Sequence, residues 1–406
     1  MLVALAWRNL WRHPQRTLLS LLSIAIVVAL LVFMLSFQMG VYGTMKQTTL
    51  RIFDGYARFQ PEGYAADPTL DRTIAHPERL AQEAVAIDGV TTAAPRVNGF
   101  AILANGERSY GAAVVGVDPA SEAKISSIAA TIRVGRYLNS ADGNTAILGD
   151  ILANNLKLAV GGNVTLLGSA RDGSVAADVL RVVGIYHSGI PELDRSILEM
   201  PLKRAQDTFA MDGRANTIAL GGPSLSGVND AIPALNALGR RQRVAVLDWG
   251  AMEPALRDVI ALKYATSMLF YLTLVVVVAF IILNTLLMSV LERTREFGML
   301  LAMGMRPRLI GQMVWIELLG LALFGCAIGF VVGAGVTLWF EHQGIVYPGM
   351  AKLLAQFGLP PRLYPTLTPL SALVGPSALL LSISIGGIVP YLRVARLTAA
   401  SAMRAA

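Results

Sequence analysis

Charge is scarce in this 406-residue chain. Asp, Glu, Lys and Arg make up 15% of it, against about 25% in soluble domains. Hydrophobic residues reach 54% and the mean hydropathy is +0.55, which points to a membrane protein. The single cysteine, Cys326, lies inside an apolar run, so an internal disulfide and Cys/His zinc spacing are both excluded. His13, His76, His187 and His342 are far apart in sequence and form no local ligand motif. Chemistry-bearing motifs are missing too. There is no Gly-Lys dipeptide, hence no Walker-type phosphate loop. His-Glu-x-x-His and Gly-x-Ser-x-Gly are absent, and no Gly-x-Gly-x-x-Gly falls in a strand–turn–helix context. The chain shows no recognisable means of hydrolysing a nucleotide, peptide or ester, so directed work would draw on a partner.

Acid is absent before Asp54, whereas Arg8, Arg12, His13 and Arg16 precede the apolar run 17–40. Trp7, Leu10 and Trp11 share one helical face over residues 1–16, which predicts an amphipathic helix on the cytoplasmic leaflet. At about 1.5 Å per residue the run 17–40 spans about 36 Å, enough for a hydrocarbon core of about 30 Å. It exceeds a signal-peptide core and lacks a small-x-small site, so it is expected to be an uncleaved first span.

Residues 41–262 carry mixed charge, Gly and Pro punctuation and no apolar run of spanning length. They predict a large extracytoplasmic domain with its own core. Helices are expected over 76–87 and 224–238, followed by strands over 89–95 and 243–249. These two helix-then-strand units flank a strand-rich middle at about 112–200, which suggests a pseudo-repeat around an insertion. Residues 249–264 look helical and are expected to run directly into the second span, 263–291. The third span is 309–340, with Gly325, Gly329 and Gly333 at the four-residue spacing that lets membrane helices approach closely. An external loop occupies 341–368, the fourth span 369–392 and a basic tail 393–406. Arg8, Arg12 and Arg16, then Arg293, Arg295, Arg306 and Arg308, then the tail arginines all fall on one side of four spans. The positive-inside rule puts that side in the cytoplasm, with both termini, and accounts for the net charge of +7 without nucleic acid. Two polar residues lie within spans: Asn284, and Glu317, which is expected to pair with a basic residue.

Between the second and third spans lies the charged segment 292–308. Phe297, Leu300, Leu301 and Met303 recur in it at helical spacing, which fits a short surface helix or an ordinary charged loop. Pro307 disfavours helix at Arg306 and suits the first turn of the next helix, which bounds the segment.

Glu292-Arg-Thr-Arg-Glu-Phe-Gly-Met-Leu-Leu-Ala-Met-Gly304, in a chain of one span, a large outer domain and three further spans, resembles the type VII ABC transporter permeases. These are the MacB/FtsX-like family with the lipoprotein-releasing LolC/LolE branch. The family pattern Arg-x-x-Glu-Ile-Gly-x-Leu-x-Ala-x-Gly falls on Arg293, Glu296, Phe297, Gly298, Leu300, Ala302 and Gly304. Phe297 replaces the usual Ile, and Leu301 stands where a basic residue is common. Residues 6–12, 182–194 and 390–396 add similarity at the amino-terminal helix, the outer domain of the lipoprotein-release branch and the exit from the last span.

The resemblance implies four transmembrane helices, an outer domain of MacB-like porter and strand-rich parts, and an FtsX-like permease domain over 265–391. It implies a non-catalytic permease subunit with no cofactor of its own. ATP and magnesium would be bound by a separate cytoplasmic ATPase, contacted by Arg293, Arg295, Glu296, Phe297, Gly298, Leu301, Met303 and Gly304. A second permease, identical or paralogous, would complete the complex. The first expectation is extraction of a lipoprotein or lipid from the inner membrane. Its lateral opening would be lined by Leu30, Leu31, Phe33 and Met34 of the first span and Met268, Leu269 and Leu272 of the second. The alternatives are MacB-like efflux of peptides or small molecules with a periplasmic adaptor, and FtsX-like signalling to a cell-wall hydrolase.

Overall fold

The structure, a computed structural model, describes residues 8, 12, 14–350, 354 and 359–396. Most of the expected amphipathic helix at 1–16, and the tail beyond Arg396, lie outside the described residues. The chain divides into two compact units. One holds residues up to 44 with 259–348 and the segment from 361 onward; the other holds 45–258 with a short piece at 349–360.

The first unit is helical. Among the described residues, four helices are long and apolar enough to cross a membrane: Thr17–Ile52, Pro254–Glu292, Pro307–Gln343 and Pro369–Ala395. The first belongs to α1 (Pro14–Ile52), which continues past the expected end at residue 40. Met45, Lys46 and Gln47 favour helix, and no proline interrupts before Phe53. The glycines at 325, 329 and 333 bring α11 (Pro307–Gln343) against α1. A Cβ added at Gly329 would fall under 3 Å from backbone atoms of Ala25, and one at Gly333 under 3 Å from those of Ala29. Gly329→Ala is therefore expected to cost about 1–3 kcal/mol through overpacking. Gly335→Ala on the same helix, where a Cβ meets nothing within 4 Å, is expected to be silent. Thermal unfolding in detergent checks the pair; equal midpoints would mean the two helices do not approach closely.

Ile24, Val28, Leu31 and Val32 of α1, Val275, Val278 and Ile282 of α9 (Pro254–Glu292), Leu318 and Ala322 of α11, and Leu379 and Ile383 of α12 (Pro369–Gly386) form one core. Several polar side chains in this unit pair across helices, while Asn284 is exposed. Gln38 Nε2 donates to Ser267 Oγ at 2.7 Å, Tyr271 OH donates to Gln38 Oε1 at 3.2 Å, and Ser36 Oγ donates to Ser371 Oγ at 2.9 Å. The fourth span is interrupted at Gly387, where α12 gives way to α13 (Ile388–Ala395). Pro390 supplies the cause, since it lacks an N–H and its ring crowds the carbonyl four residues earlier.

The second unit is a mixed sheet flanked by helices. Its strands run in the order β10-β1-β9-β2-β3-β8-β5-β7-β4, with β6 (Asn163–Ser169) pairing both β2 and β7. The segments β1 (Ala57–Pro61), α2 (Pro77–Val85), β2 (Thr92–Asn105), β9 (Thr217–Gly221), α7 (Leu225–Gln242) and β10 (Val244–Asp248) make two strand–helix–strand halves. Their strands interleave as fourth, first, third, second, the order of a split βαβ fold. Phe59, Leu80, Ala84, Ile218, Leu220, Val228 and Leu235 are their shared core. The pseudo-repeat expected from the sequence takes this form. The strand expected over 89–95 instead starts at Thr92, after a turn in which Gly89 has φ +94. The helix expected from residue 249 is a four-residue piece, α8 (Trp249–Met252); a new helix then begins at Pro254, because proline belongs in a first turn.

The insertion between β2 and β9 contains β3 (Arg108–Val117), β4 (Ile132–Gly135), β5 (Thr145–Gly149), β7 (Val175–Tyr186) and β8 (Ile197–Pro201). Its helices are α3 (Pro119–Ile125), α4 (Asp150–Leu156), α5 (Pro191–Ser196) and α6 (Leu202–Thr208). On β8, Glu199 is fully buried: Tyr137 OH donates to its Oε2 at 3.3 Å, and its Oε1 has no hydrogen-bond partner. Burial first, then the nearby Glu122 carboxylate, push the Glu199 carboxyl up to about 8, with Arg96 opposing. Arg96 is bonded to Glu122, Nη2 to Oε1 at 2.6 Å and Nε to Oε2 at 3.0 Å.

Candidate coupling site on the membrane unit

The segment expected to be a separate short helix is α10 (Thr294–Ala302). Its end is built by Gly304. The Gly304 N–H donates to the Leu301 carbonyl at 3.0 Å and the Met305 N–H to the Leu300 carbonyl at 3.1 Å, with Gly304 at φ +91. This pair of bonds is a Schellman stop, which requires a left-handed residue at Gly304. Arg306 is then extended (φ −70, ψ 134), and Pro307 opens α11.

One face of α10 turns into its own unit. Phe297 is 1% exposed and packs with Val290, Ile310, Met313, Val314 and Val394. Gly298 is buried, and Leu300 and Leu301 are half-buried against the same cluster. The Arg293 guanidinium sits 5.3 Å from the Phe297 ring centroid, and its Nη1 reaches Glu317 Oε1 and Oε2 at 3.2 and 3.1 Å. The Arg293 and Glu317 side chains are 14% and 12% exposed. The polar residue expected inside the third span thus has a basic partner, supplied by the segment that precedes the span. Glu296 lies between Arg293 Nε at 3.6 Å and Arg12 Nη1 at 3.4 Å.

The opposite face is exposed. It carries Arg295, Met299, Ala302 and Met303, spaced i, i+4, i+7 and i+8 on a single stripe. Met299 is 55% exposed and Met303 76%. The sequence-derived contact set is therefore divided. Arg295 and Met303 face solvent and Glu296 is half-exposed, while Arg293, Phe297 and Gly298 serve the interior and Gly304 serves the turn. Met299 and Ala302 share this exposed stripe with Arg295 and Met303, as their spacing shows.

The residues assigned to a lateral opening also separate. Leu30, Met34, Leu269 and Leu272 are exposed, and Phe33 and Met268 half-exposed. Leu31 is 1% exposed and lies against Gly375 of α12, so it belongs to the core rather than to an opening. Leu30 and Phe33 line an apolar groove of about 370 Å³ with Leu22, Ile26, Ile328 and Val332, between α1 and α11 rather than between the first and second spans.

Comparison with known proteins places both units. The model of the MacB-like periplasmic core domain matches residues 17–235, more than half of the chain, and that of the FtsX-like permease C-terminal matches 268–399. The lipoprotein-releasing system transmembrane protein LolC of Neisseria meningitidis is 25% identical over 327 residues, covering 78% of this chain and 76% of LolC. The corresponding LolE of Haemophilus influenzae is 27% identical, covering 83% and 81%. A macrolide export ATP-binding/permease protein MacB of Yersinia pestis is 34% identical over 130 residues, covering 27% of this chain and 20% of that protein.

Proposed function

Because this chain belongs to the permeases that join a MacB-like periplasmic core domain to an FtsX-like C-terminal permease, we propose that it couples a cytoplasmic ATPase to the release of lipid-anchored protein from the inner membrane. Coupling is supported by one observation above others: α10 is pinned on one face by Phe297 and by the Arg293–Glu317 pair, and presents an exposed stripe of Arg295, Met299, Ala302 and Met303 on the other. Methionine-rich faces adapt well to a groove in a partner. The ATPase supplies ATP and magnesium chemistry, and this chain supplies none. Arginine placement favours α10 and both termini on the cytoplasmic side and the large unit outside. The helix α9 belongs to both units, since it runs from Pro254 to Glu292 without a break. α10 follows α9 directly in the chain, so movement of α10 acts on the end of that helix. A second permease subunit completes the assembly.

The lipoprotein cargo is supported by the relatives that align along both units, LolC and LolE. The MacB similarity supports a second reading, efflux through an adaptor, over a shorter stretch. Met299→Glu with Met303→Glu is expected to weaken ATPase capture about tenfold or more, since a desolvated charge in a groove costs over 1.4 kcal/mol. The variant should keep its thermal midpoint, because both positions are exposed. Co-purification from membranes reads this, and wild-type capture by the variant would remove α10 from the coupling role. Release of a lipid-anchored protein from proteoliposomes on ATP addition tests the cargo.

A further inference from the structure

Three side chains in the outer unit converge without a role in what precedes. Asp150 opens α4 directly after β5, His187 follows β7, and Asp194 lies in α5. β5 and β7 run parallel, with Gly149 opposite Tyr186, and this register sets Asp150 beside His187. His187 Nδ1 lies 2.8 Å from Asp150 Oδ2 and 3.3 Å from Asp194 Oδ2. All three donor atoms fall within 4.8 Å of one another.

The cluster is not balanced by its own hydrogen bonds. Nδ1 carries at most one hydrogen. Directed at Asp150, it leaves Asp194 Oδ2 buried with no hydrogen-bond partner, on a side chain only 1% exposed. Asp150 Oδ1 is buried and unpartnered as well. Arg133 Nη1 is 4.0 Å from Asp150 Oδ2, beyond hydrogen-bond reach. Two carboxylates at this separation repel unless positive charge stands between them.

We propose that Asp150, His187 and Asp194 form a divalent-cation site, with zinc as its occupant. Ligands about 2.0–2.2 Å from a tetrahedral zinc stand about 3.3–3.6 Å apart. The nitrogen-to-oxygen separations of 2.8 and 3.3 Å lie at or just under two edges of such a tetrahedron, and the third edge is no longer than 4.8 Å. The imidazole binds as the neutral ring through Nδ1, and the two carboxylates neutralise the ion. A supporting shell is in place: the Ser188 N–H and Oγ donate to Asp194 Oδ1 at 2.8 and 2.7 Å, turning Oδ2 toward His187. The His187 and Asp150 side chains are 35% and 25% exposed, which leaves a side open for a water as fourth ligand and for entry of the ion. A bound ion would tie the segment after β7 to the start of α4, stapling the strand-rich insertion at the loop that precedes α5.

The test uses the full-length chain in detergent, stripped of metal and titrated with Zn²⁺ against a chromophoric chelator, with bound zinc counted after gel filtration. One zinc per chain is expected near neutral pH. Asp194→Asn and His187→Ala are each expected to lose affinity by roughly 100-fold or more. Zinc should also raise the thermal midpoint of the unmodified chain and not of the variants. Asp150→Asn, at a part-exposed position, serves if the Asp194 variant fails to fold. Absence of stoichiometric zinc overturns the proposal. So does retention of wild-type zinc affinity by a folded Asp150→Asn or His187→Ala chain, which would place the ion elsewhere in the chain.

Discussion

Phe297→Ala is expected to abolish ATPase capture even though Phe297 faces away from any partner. Truncating a fully buried phenylalanine costs about 3–5 kcal/mol. Phe297 is the largest side chain in a cluster otherwise made of Val290, Ile310, Met313, Val314 and Val394. A nine-residue helix has little stability of its own, so this loss exceeds what α10 can bear. Arg293, stacked over the same ring, loses its platform, and its bond to Glu317 is loosened with it. Phe297→Leu keeps most of the volume and is expected to cost under about 1.5 kcal/mol. Two readouts separate positioning from contact. Tryptic cleavage at Arg295 should rise sharply in Phe297→Ala and stay at the wild-type level in Met299→Glu/Met303→Glu, while capture falls in both. Wild-type capture by Phe297→Ala would show that docking does not depend on how α10 is held.

Glu199→Gln is expected to flatten the pH profile of the outer unit's stability, with its gain relative to wild type growing from pH 5 to pH 8. The folded chain keeps the Glu199 proton up to about 8, whereas an unfolded chain releases it near 4.5. Between those values the folded state binds more protons, so stability is full at the acid end and falls as pH rises. The fall is about 1.36 kcal/mol per pH unit while the gap lasts. Glutamine preserves the shape and can still accept from Tyr137, but carries no charge to bury. Burial raises Asp54 and Glu253 in the same unit as well, which adds a slope of the same sign to both proteins. The quantity to measure is therefore the difference between wild type and variant in unfolding experiments from pH 5 to 8.5. Parallel profiles would mean Glu199 is ionised in the folded chain.

Long-period features were readable from the residues alone. Runs such as 17–40 and 309–340 leave no other use for so many apolar residues, and Pro307 and Gly304 punctuate by backbone chemistry that needs no tertiary context. The helix–strand halves were visible because α7 and β10 differ in period. What escaped depends on partners distant in sequence. Nothing local in Ile197-Leu-Glu-Met-Pro201 tells that Glu199 lies on an interior strand, paired with β3 along one edge and β5 along the other and buried along its whole length. The α10 faces were confused for a different reason. Phe297 and Leu301 form one apolar stripe and Met299 and Met303 another, so periodicity finds two candidate inward faces and cannot choose. Only packing against Ile310 and Val394 decides. Leu30 and Leu31 are alike in sequence and differ in burial, since in an all-apolar helix composition does not distinguish lipid from protein.

The interleaved strand order of the outer unit also governs how the chain can be made. β1 is laid down early but takes its neighbours from β9 and β10, the last strands of this sheet to be synthesised. At about 5–20 residues per second, some 190 residues of further translation keep β1 waiting roughly 10–40 s. Through that interval the first membrane helix is already available for insertion, while an unpaired strand with Phe59 on it follows directly behind. Such an edge invites pairing with the wrong chain. The insertion closes β3, β5, β7 and β8 among themselves during the wait, so the half of the domain that appears second in the sequence is the one able to fold first. Biogenesis of this protein thus carries a window of vulnerability at β1, closed only when Val244–Asp248 emerges.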